Sequence, residues 1–406
     1  MTLEDARVLD AADPLAPFRD RFLLPDGLVY MDGNSLGPLT KAAAARARAV
    51  VETEWGEGLI RSWNSADWID LPRRVGDRIA TLIGAEPGTV LAADSTSINI
   101  FKLLAIAAGM RPDRGTILLE AGDFPTDRYI AEGFASLNPQ KFGLLGHKIA
   151  SGDITAPTPD VGVVLVTEVN YRTGARHDMA AVTQAAHDAG ALVIWDLCHS
   201  AGAFPVDVAG TGADFAVGCG YKYLNGGPGA PAFAYVAPRH LDGLRQPLSG
   251  WMGHARPFAF ADDYEPAAGI DALRVGTPPI LSLSTLDAAL DAFDGVDLAA
   301  LRAKADALFD LFVANLPSGI ELLTPTDPRK RGTQVSLCHP QAYAVMQALI
   351  ARGIIGDFRE PDILRFGLTP LTLRFEDVWR ATTTLADVLA TGAWDRPEFR
   401  ARAKVV

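Results

Sequence analysis

The sequence predicts an α/β protein. A large domain is built on a mostly parallel central sheet flanked by helices, and a smaller C-terminal α/β domain follows it. Three observations carry this prediction. The chain has 406 residues, enough for two cores rather than one small one. Short apolar runs alternate with helical patterns through its middle, the order of strand, crossover helix and strand that builds a parallel sheet. The pattern changes at about residues 278–286, where a long helical stretch begins, and strand-like runs return after residue 330.

In chain order, residues 41–55, KAAAARARAVVETEW, are rich in strong helix formers and read as a helix. A second helix at 96–109 follows the polar turn Asp94-Ser95. Four apolar runs read as buried strands: TILLE at 116–120, VGVVLVT at 161–167, ALVIWD at 191–196 and ADFAVGC at 213–219. Between the second and third lies MAAVTQAAHDAG, an amphipathic helix that ends at Gly190. PPILSLSTLDAALDAF opens the helical stretch and LRAKADALFDLFVANL continues it. TQVSLCH, a helix at 341–352, ILRFGLTP and a last helix from residue 376 form the second α/β unit. Neither an internal repeat nor a low-complexity tract is visible.

Composition excludes several classes. Hydrophobic residues make up 49% and charged residues 21%, the balance of an ordinary globular protein. A net charge of -12 argues against a general nucleic-acid binder, which needs a basic surface. It leaves room for a small anion held by a local patch. Three cysteines, Cys198, Cys219 and Cys338, give neither a disulfide framework nor a CxxC metal pair, and a reducing cytoplasm fits them best. MTLEDARVLD is not a signal peptide, and no apolar run is long enough to span a bilayer. The histidines show no metal-binding spacing.

Two residues carry the chemistry. Asp196 ends the apolar run LVIW, at the strand edge where ligands of open α/β sheets gather. Alone, such an aspartate is more often a helix N-cap than a catalytic group. Lys222 lies in GCGYKYLNGGPGAP, just after the next strand, among small and aromatic residues. A single lysine is more often a solvated loop residue, but burial would free its amine as a nucleophile. The pair is worth more than its members. An amine and an acid on neighbouring strand ends suit pyridoxal 5'-phosphate (PLP), which needs the amine for its aldehyde and the acid for its ring nitrogen. DSTSIN at 94–99 supplies hydroxyl and backbone donors for a phosphate at a helix start, although by itself it reads as a helix cap. FPTD at 124–127 offers an aromatic face and a carboxylate, or simply a proline turn with Phe124 in the core.

WDLCHSAGAFPVD followed by GCGYKYLNGGPGAP resembles the PLP site of the kynureninase family, in the fold type I aspartate aminotransferase superfamily. YMDGNSLGP at 30–38, DSTSIN, FPTD, GWMGH at 250–254 and RVGTPPIL at 274–281 resemble the same family in the same order. This resemblance implies a Schiff base between PLP and Lys222. It implies that Thr96 and Ser97 bind the phosphate, Phe124 stacks on the ring, Asp127 supports the site and Thr167 lies beside the ring. Asp196 would pair with the ring nitrogen, with His199 near it, and Tyr221 would bind phosphate and donate a proton. Trp251 and Thr277 would reach the phosphate from the partner subunit of a homodimer, and Arg365 would hold the substrate α-carboxylate. The expected reaction is hydrolysis of L-kynurenine to anthranilate and L-alanine, serving tryptophan catabolism or nicotinamide cofactor synthesis. Trp63 in SWNSADW, with Gly276 and Thr277, is expected to favour L-kynurenine over its 3-hydroxy derivative. The chain would divide into an N-terminal segment, 1–60, packing with the small domain, a PLP-binding large domain, 61–285, and a small domain, 286–406.

Two rivals remain at this point. A cysteine desulfurase needs a mobile late cysteine, and Cys338 lies inside the strand-like QVSLCH. A non-enzymatic relative would be marked by loss of Lys222 or Asp196, and both are present. Cys198 and Cys219 are expected to be small buried hydrophobes.

Overall fold

The computed structural model describes residues 1–137 and 148–403. Its strands, in chain order, are β1 (Val29–Tyr30), β2 (Val90–Ala92), β3 (Thr116–Leu119), β4 (Lys148–Ser151), β5 (Val161–Thr167), β6 (Leu192–Asp196) and β7 (Phe215–Cys219). They continue with β8 (Ala232–Val236), β9 (Glu321–Leu322), β10 (Gln334–Cys338), β11 (Ile354–Ile355), β12 (Asp357–Arg359) and β13 (Ile363–Gly367).

Seven strands form the large sheet in the order β2-β8-β7-β6-β5-β3-β4. The period of two in each apolar run explains why both faces are covered. Val163 and Leu165 of β5, with Leu192 and Ile194 of β6, pack against Ile100, Leu103 and Leu104 of the helix Thr96–Met110. Val164 and Val166, with Val193 and Trp195, face the opposite core beside Val75 and Ile79 of the helix Leu71–Leu82. All the strands run parallel except β8, which is antiparallel to both β2 and β7. The chain between β7 and β8 forms turns and no helix, so it reverses instead of crossing over.

The second sheet is antiparallel, in the order β12-β13-β10-β9. Its core joins Val335, Leu337, Leu364 and Phe366 to helices Leu298–Ala314, Ala342–Ile350 and Phe375–Thr391, and it also takes in Ala6, Val29 and Met31. The helix beginning at Lys41 passes into a wider π-helix over Val50–Gly58. No helix of the described residues is long and apolar enough to cross a membrane.

Asp214, just before β7, holds the edge of the large sheet opposite the strand carboxyl ends. Its buried carboxylate accepts hydrogen bonds from the Val193 N–H (2.9 Å) and Arg239 Nη2 (2.7 Å). His187 Nε2 and His240 Nε2 each lie 2.8 Å from it. Burial opposes ionisation here, but these partners prevail and bring the pKa down from 3.8 to about 2. A depressed carboxylate stabilises the fold above the unfolded pKa and loses that contribution as pH falls from about 4 towards 2. The shift corresponds to about 2 kcal/mol. Asp214→Asn is therefore expected to lower Tm at neutral pH and to flatten the acid limb of a Tm-against-pH curve, with turnover unchanged. An unaltered acid limb would contradict this account.

Candidate active site

The carboxyl ends of the parallel strands meet over one cavity of about 150 Å³. Thr96, Ser97, Phe124, Asp127, Thr167, Asp196, His199, Tyr221 and Lys222, all expected from the sequence, line it. The topology explains the convergence. Register pairs Thr167 with Asp196 at the ends of β5 and β6. The turn after β2 leads to Ser95, which caps the helix Thr96–Met110, and the first turn of that helix leaves N–H groups without intrahelical partners. The turn is anchored by Lys102, fully buried, whose Nζ donates to the Asp94 carboxylate and to the Leu273 carbonyl at 2.7 Å. Phe124 begins the helix Pro125–Ala135 and is 41% exposed, so it is not a core residue.

Asp196 is not a helix cap. No helix follows it, and its Oδ1 accepts the Cys198 N–H at 2.7 Å in a side-chain turn. Lys222 Nζ lies 3.1 Å from His199 Nε2 and 5.8 Å from the Phe124 ring centre. The floor is acidic. Burial raises the Asp196 pKa against its bonds from Cys198 and the charge of Lys222. Asp127 is pushed well above the carboxylate range by burial, then by Asp196 and Asp123, and neither of its oxygens has a partner. Asp123 beside it is pushed up to about 7, chiefly by burial and then by Glu120. Burial likewise raises the Tyr221 phenol, which stays protonated and able to donate. Such a floor favours a cation above it.

Arg365 does not line this cavity. It is buried in β13 directly across from Asp357 of β12, and the two carboxylate oxygens receive its Nε (2.8 Å) and Nη2. The pair is buried, with both side chains shielded from solvent. Nη1 donates to the Tyr171 carbonyl at 2.7 Å, and the Tyr171 ring meets Phe124 edge-on at 5.1 Å. Tyr171 therefore joins the arginine to the cavity wall. Nη2 also donates to Ser35 Oγ at 2.8 Å. Ser35 sits on a strap, and two residues on, the Gly37 N–H bonds the Tyr221 carbonyl at 2.8 Å. A Cβ on Gly37 would lie 2.1 Å from the Lys222 carbonyl, so only glycine fits there.

Four expected residues lie apart within the chain. Trp251 is exposed and stacks with Phe260 at 6.2 Å. Gly276 and Thr277 line a separate cleft with Asp94 and Met252. Trp63 packs edge-on against Trp68 at 5.7 Å. Cys219 is buried, but Cys198 lines the cavity, 3.7 Å from Thr96 Oγ1, which corrects its reading as a core residue. Sequence reasoning also missed Tyr171, Ser35 and Asp357. YMDGNSLGP contained Ser35, and its only signal was the motif. Asp357 stands in the strand before ILRF, where a hairpin would have placed it opposite Arg365.

The fold and this site define a PLP-dependent enzyme of fold type I. At TM-score 0.75 and 19% identity, a cystine C-S lyase in complex with cysteine persulfide matches 89% of this chain and 98% of its own. A cysteine desulfurase from Escherichia coli matches at TM-score 0.75 and 20% identity, over 93% and 98%. These likenesses show the fold. A family model described as the kynureninase C-terminal domain matches residues 301–385. Kynureninases from Burkholderia pseudomallei (strain 1106a) and Pseudomonas fluorescens are 53% and 50% identical, each across 100% of this chain and 99% of the relative. The chain belongs to the kynureninase family, and its cofactor is PLP. The residues present fit that cofactor. A phosphate would find donors at the helix N-terminus, a protonated ring nitrogen would find the orphaned oxygens of Asp127 and the buried Asp196, and an aldehyde would find the amine of Lys222.

Proposed function

We propose that this enzyme hydrolyses L-kynurenine to anthranilate and L-alanine in tryptophan breakdown, in the cytoplasm. One observation carries the reading: Lys222 faces buried Asp196 and Asp127 at a helix N-terminus, and Tyr171 links that cavity to Arg365. When bound, PLP supplies an electron sink for the carbon bearing the substrate amine. Lys222 would hold the cofactor, and its freed amine would carry the proton of that carbon. Asp196 would keep the ring nitrogen charged with Asp127 supporting it, and His199 stands 3.1 Å from the lysine amine. Thr96 and Ser97 hold the phosphate, while Thr167 and Phe124 border the ring. Arg365, its guanidinium already oriented by Asp357, receives the substrate carboxylate. Water adds to the side-chain ketone, and Tyr221 protonates the carbon left when the Cβ–Cγ bond breaks. A desulfurase reading is not favoured: Cys338 is fixed in β10 opposite Ile363, and burial raises its thiol pKa.

The direct test is product analysis. Incubation with L-kynurenine should release anthranilate and alanine in equal amounts, whereas sulfide from cysteine would overturn the proposal. Trp63, Gly276 and Thr277 further favour L-kynurenine over the 3-hydroxy compound, since a hydroxyl buried without a partner costs about 1–3 kcal/mol. We expect kcat/KM for L-kynurenine to be roughly ten- to a hundredfold higher. A Trp63→His, Gly276→Ser, Thr277→Asn triple variant should narrow that ratio, and equal wild-type values would sink the assignment.

The enzyme works as a homodimer in which Trp251 and Thr277 reach the partner's phosphate site. Exposed Trp251, Phe258 and Phe260, with Trp55, Leu59 and Ile60, support this, because such apolar surface favours burial. Sedimentation of the PLP-loaded protein should give twice the 43.2 kDa chain mass, and an active monomer would contradict it. The chain divides into 1–60, 61–285 and 286–406, and the core that Ala6, Val29 and Met31 share with the second sheet supports packing of the first segment on the small domain.

A further inference from the structure

We propose that Gln334 is a positioning residue: its amide oxygen holds the His199 proton on Nδ1, so that Nε2 turns a lone pair to Lys222. The proposal rests on reading Lys222 as the cofactor lysine. His199 follows β6 in the large domain, and Gln334 begins β10 in the second sheet, so the pair spans the two units. Both side chains are buried.

Burial holds the imidazole pKa well below its usual value, and the charges of Lys222, Arg365 and Arg359 hold it down further. His199 is therefore neutral and has one N–H to place. At 3.1 Å from Lys222 Nζ, Nε2 can accept from the amine only if the single ring proton is held elsewhere. The proton then belongs on Nδ1, and Nδ1 needs an acceptor.

Gln334 is itself oriented by hydrogen bonds. Its Nε2 donates to the Tyr171 carbonyl at 3.1 Å and to Ser336 Oγ at 3.2 Å. That fixes the amide orientation and leaves Oε1 as the free end. Oε1 of Gln334 and Nδ1 of His199 are both buried and both lack a partner of good geometry. Acceptance of the His199 N–H by Gln334 would raise the basicity of the ring against the effect of its burial. Pairing them satisfies one orphan acceptor and one orphan donor, and a buried group left unpaired is costly. The same Tyr171 carbonyl accepts from Arg365 Nη1. The proposed carboxylate site, Gln334, His199 and Lys222 thus form one connected series, and the second nitrogen of the ring sets the first.

The test uses the full chain labelled with ¹⁵N-histidine, with and without PLP, His199 being assigned by its loss in His199→Gln. Wild type should show a protonated Nδ1 and an unprotonated Nε2 in the cofactor-free protein. Gln334→Met should shift that resonance towards the other tautomer and lower kcat on the order of tenfold, the lower range for loss of an orienting partner of a working histidine. Gln334→Glu keeps an acceptor, so it should keep the Nδ1 proton and move the His199 titration upward. An unchanged tautomer in Gln334→Met overturns the proposal whatever the turnover. If that variant folds poorly, an unmoved titration in Gln334→Glu overturns it instead. A tautomer change in a protein that never takes PLP on Lys222 would sustain the pairing and overturn the functional reading.

Discussion

Lys222→Ala is expected to lose covalent attachment of PLP and to lower turnover by at least about 10³-fold, since one side chain supplies both the amine and the proton carrier. The amine is placed for both roles. It projects from the turn after β7 into the cavity and lies 3.1 Å from His199 Nε2. The Gly37 strap fixes the backbone behind it. Lys102 gives the contrast, because it is fully buried and spent on Asp94 and the Leu273 carbonyl. Borohydride reduction of the PLP-loaded protein, followed by peptide mapping, should leave the label on Lys222. A label on Lys102 or Lys41 would refute the assignment. Folding of the variant should be intact, as the side chain fills a cavity and supports no core.

Asp196→Asn should separate binding from chemistry. The amide keeps an oxygen for the Cys198 N–H, so the turn after β6 survives. The phosphate donors at Thr96 and Ser97 and the amine of Lys222 are untouched, so PLP should still be retained. A neutral amide cannot hold a proton on the ring nitrogen, and kcat is expected to fall roughly 10²–10³-fold, the scale set by losing one preorganised electrostatic partner. Stability should move the other way. Burial raises the Asp196 pKa in the folded protein. Its contribution is fully present below the unfolded carboxylate pKa and is lost as pH rises through the folded value. At neutral pH the cofactor-free variant should therefore melt no lower than wild type. Normal turnover in a variant that retains PLP would reduce Asp196 to a turn-former.

The sequence by itself determined four adjoining strands of the large sheet, β3, β5, β6 and β7, and the acid–amine pair. VGVVLVT, ALVIWD and ADFAVGC are uninterrupted apolar runs, and in a parallel sheet buried on both faces such a run has few other places to go. Once the strands are known, their carboxyl ends bring Asp196 and Lys222 together, because parallel strands end on one edge. Its reach stopped where direction and distance depend on packing. AFAYV at 232–236 was not read as a strand, and its reversed direction follows from the turn-forming chain spent on the Lys222 loop. Only the tertiary structure decided the surroundings of Arg365. Ser35, Tyr171, Asp357 and Arg365 come from a strap, a loop and two strands, and their contacts are fixed by how the second sheet packs on the first. Periodicity reports which face of an element is buried. It carries nothing about which residues of another element lie against that face, and the partners of His199 and Arg365 are of that kind.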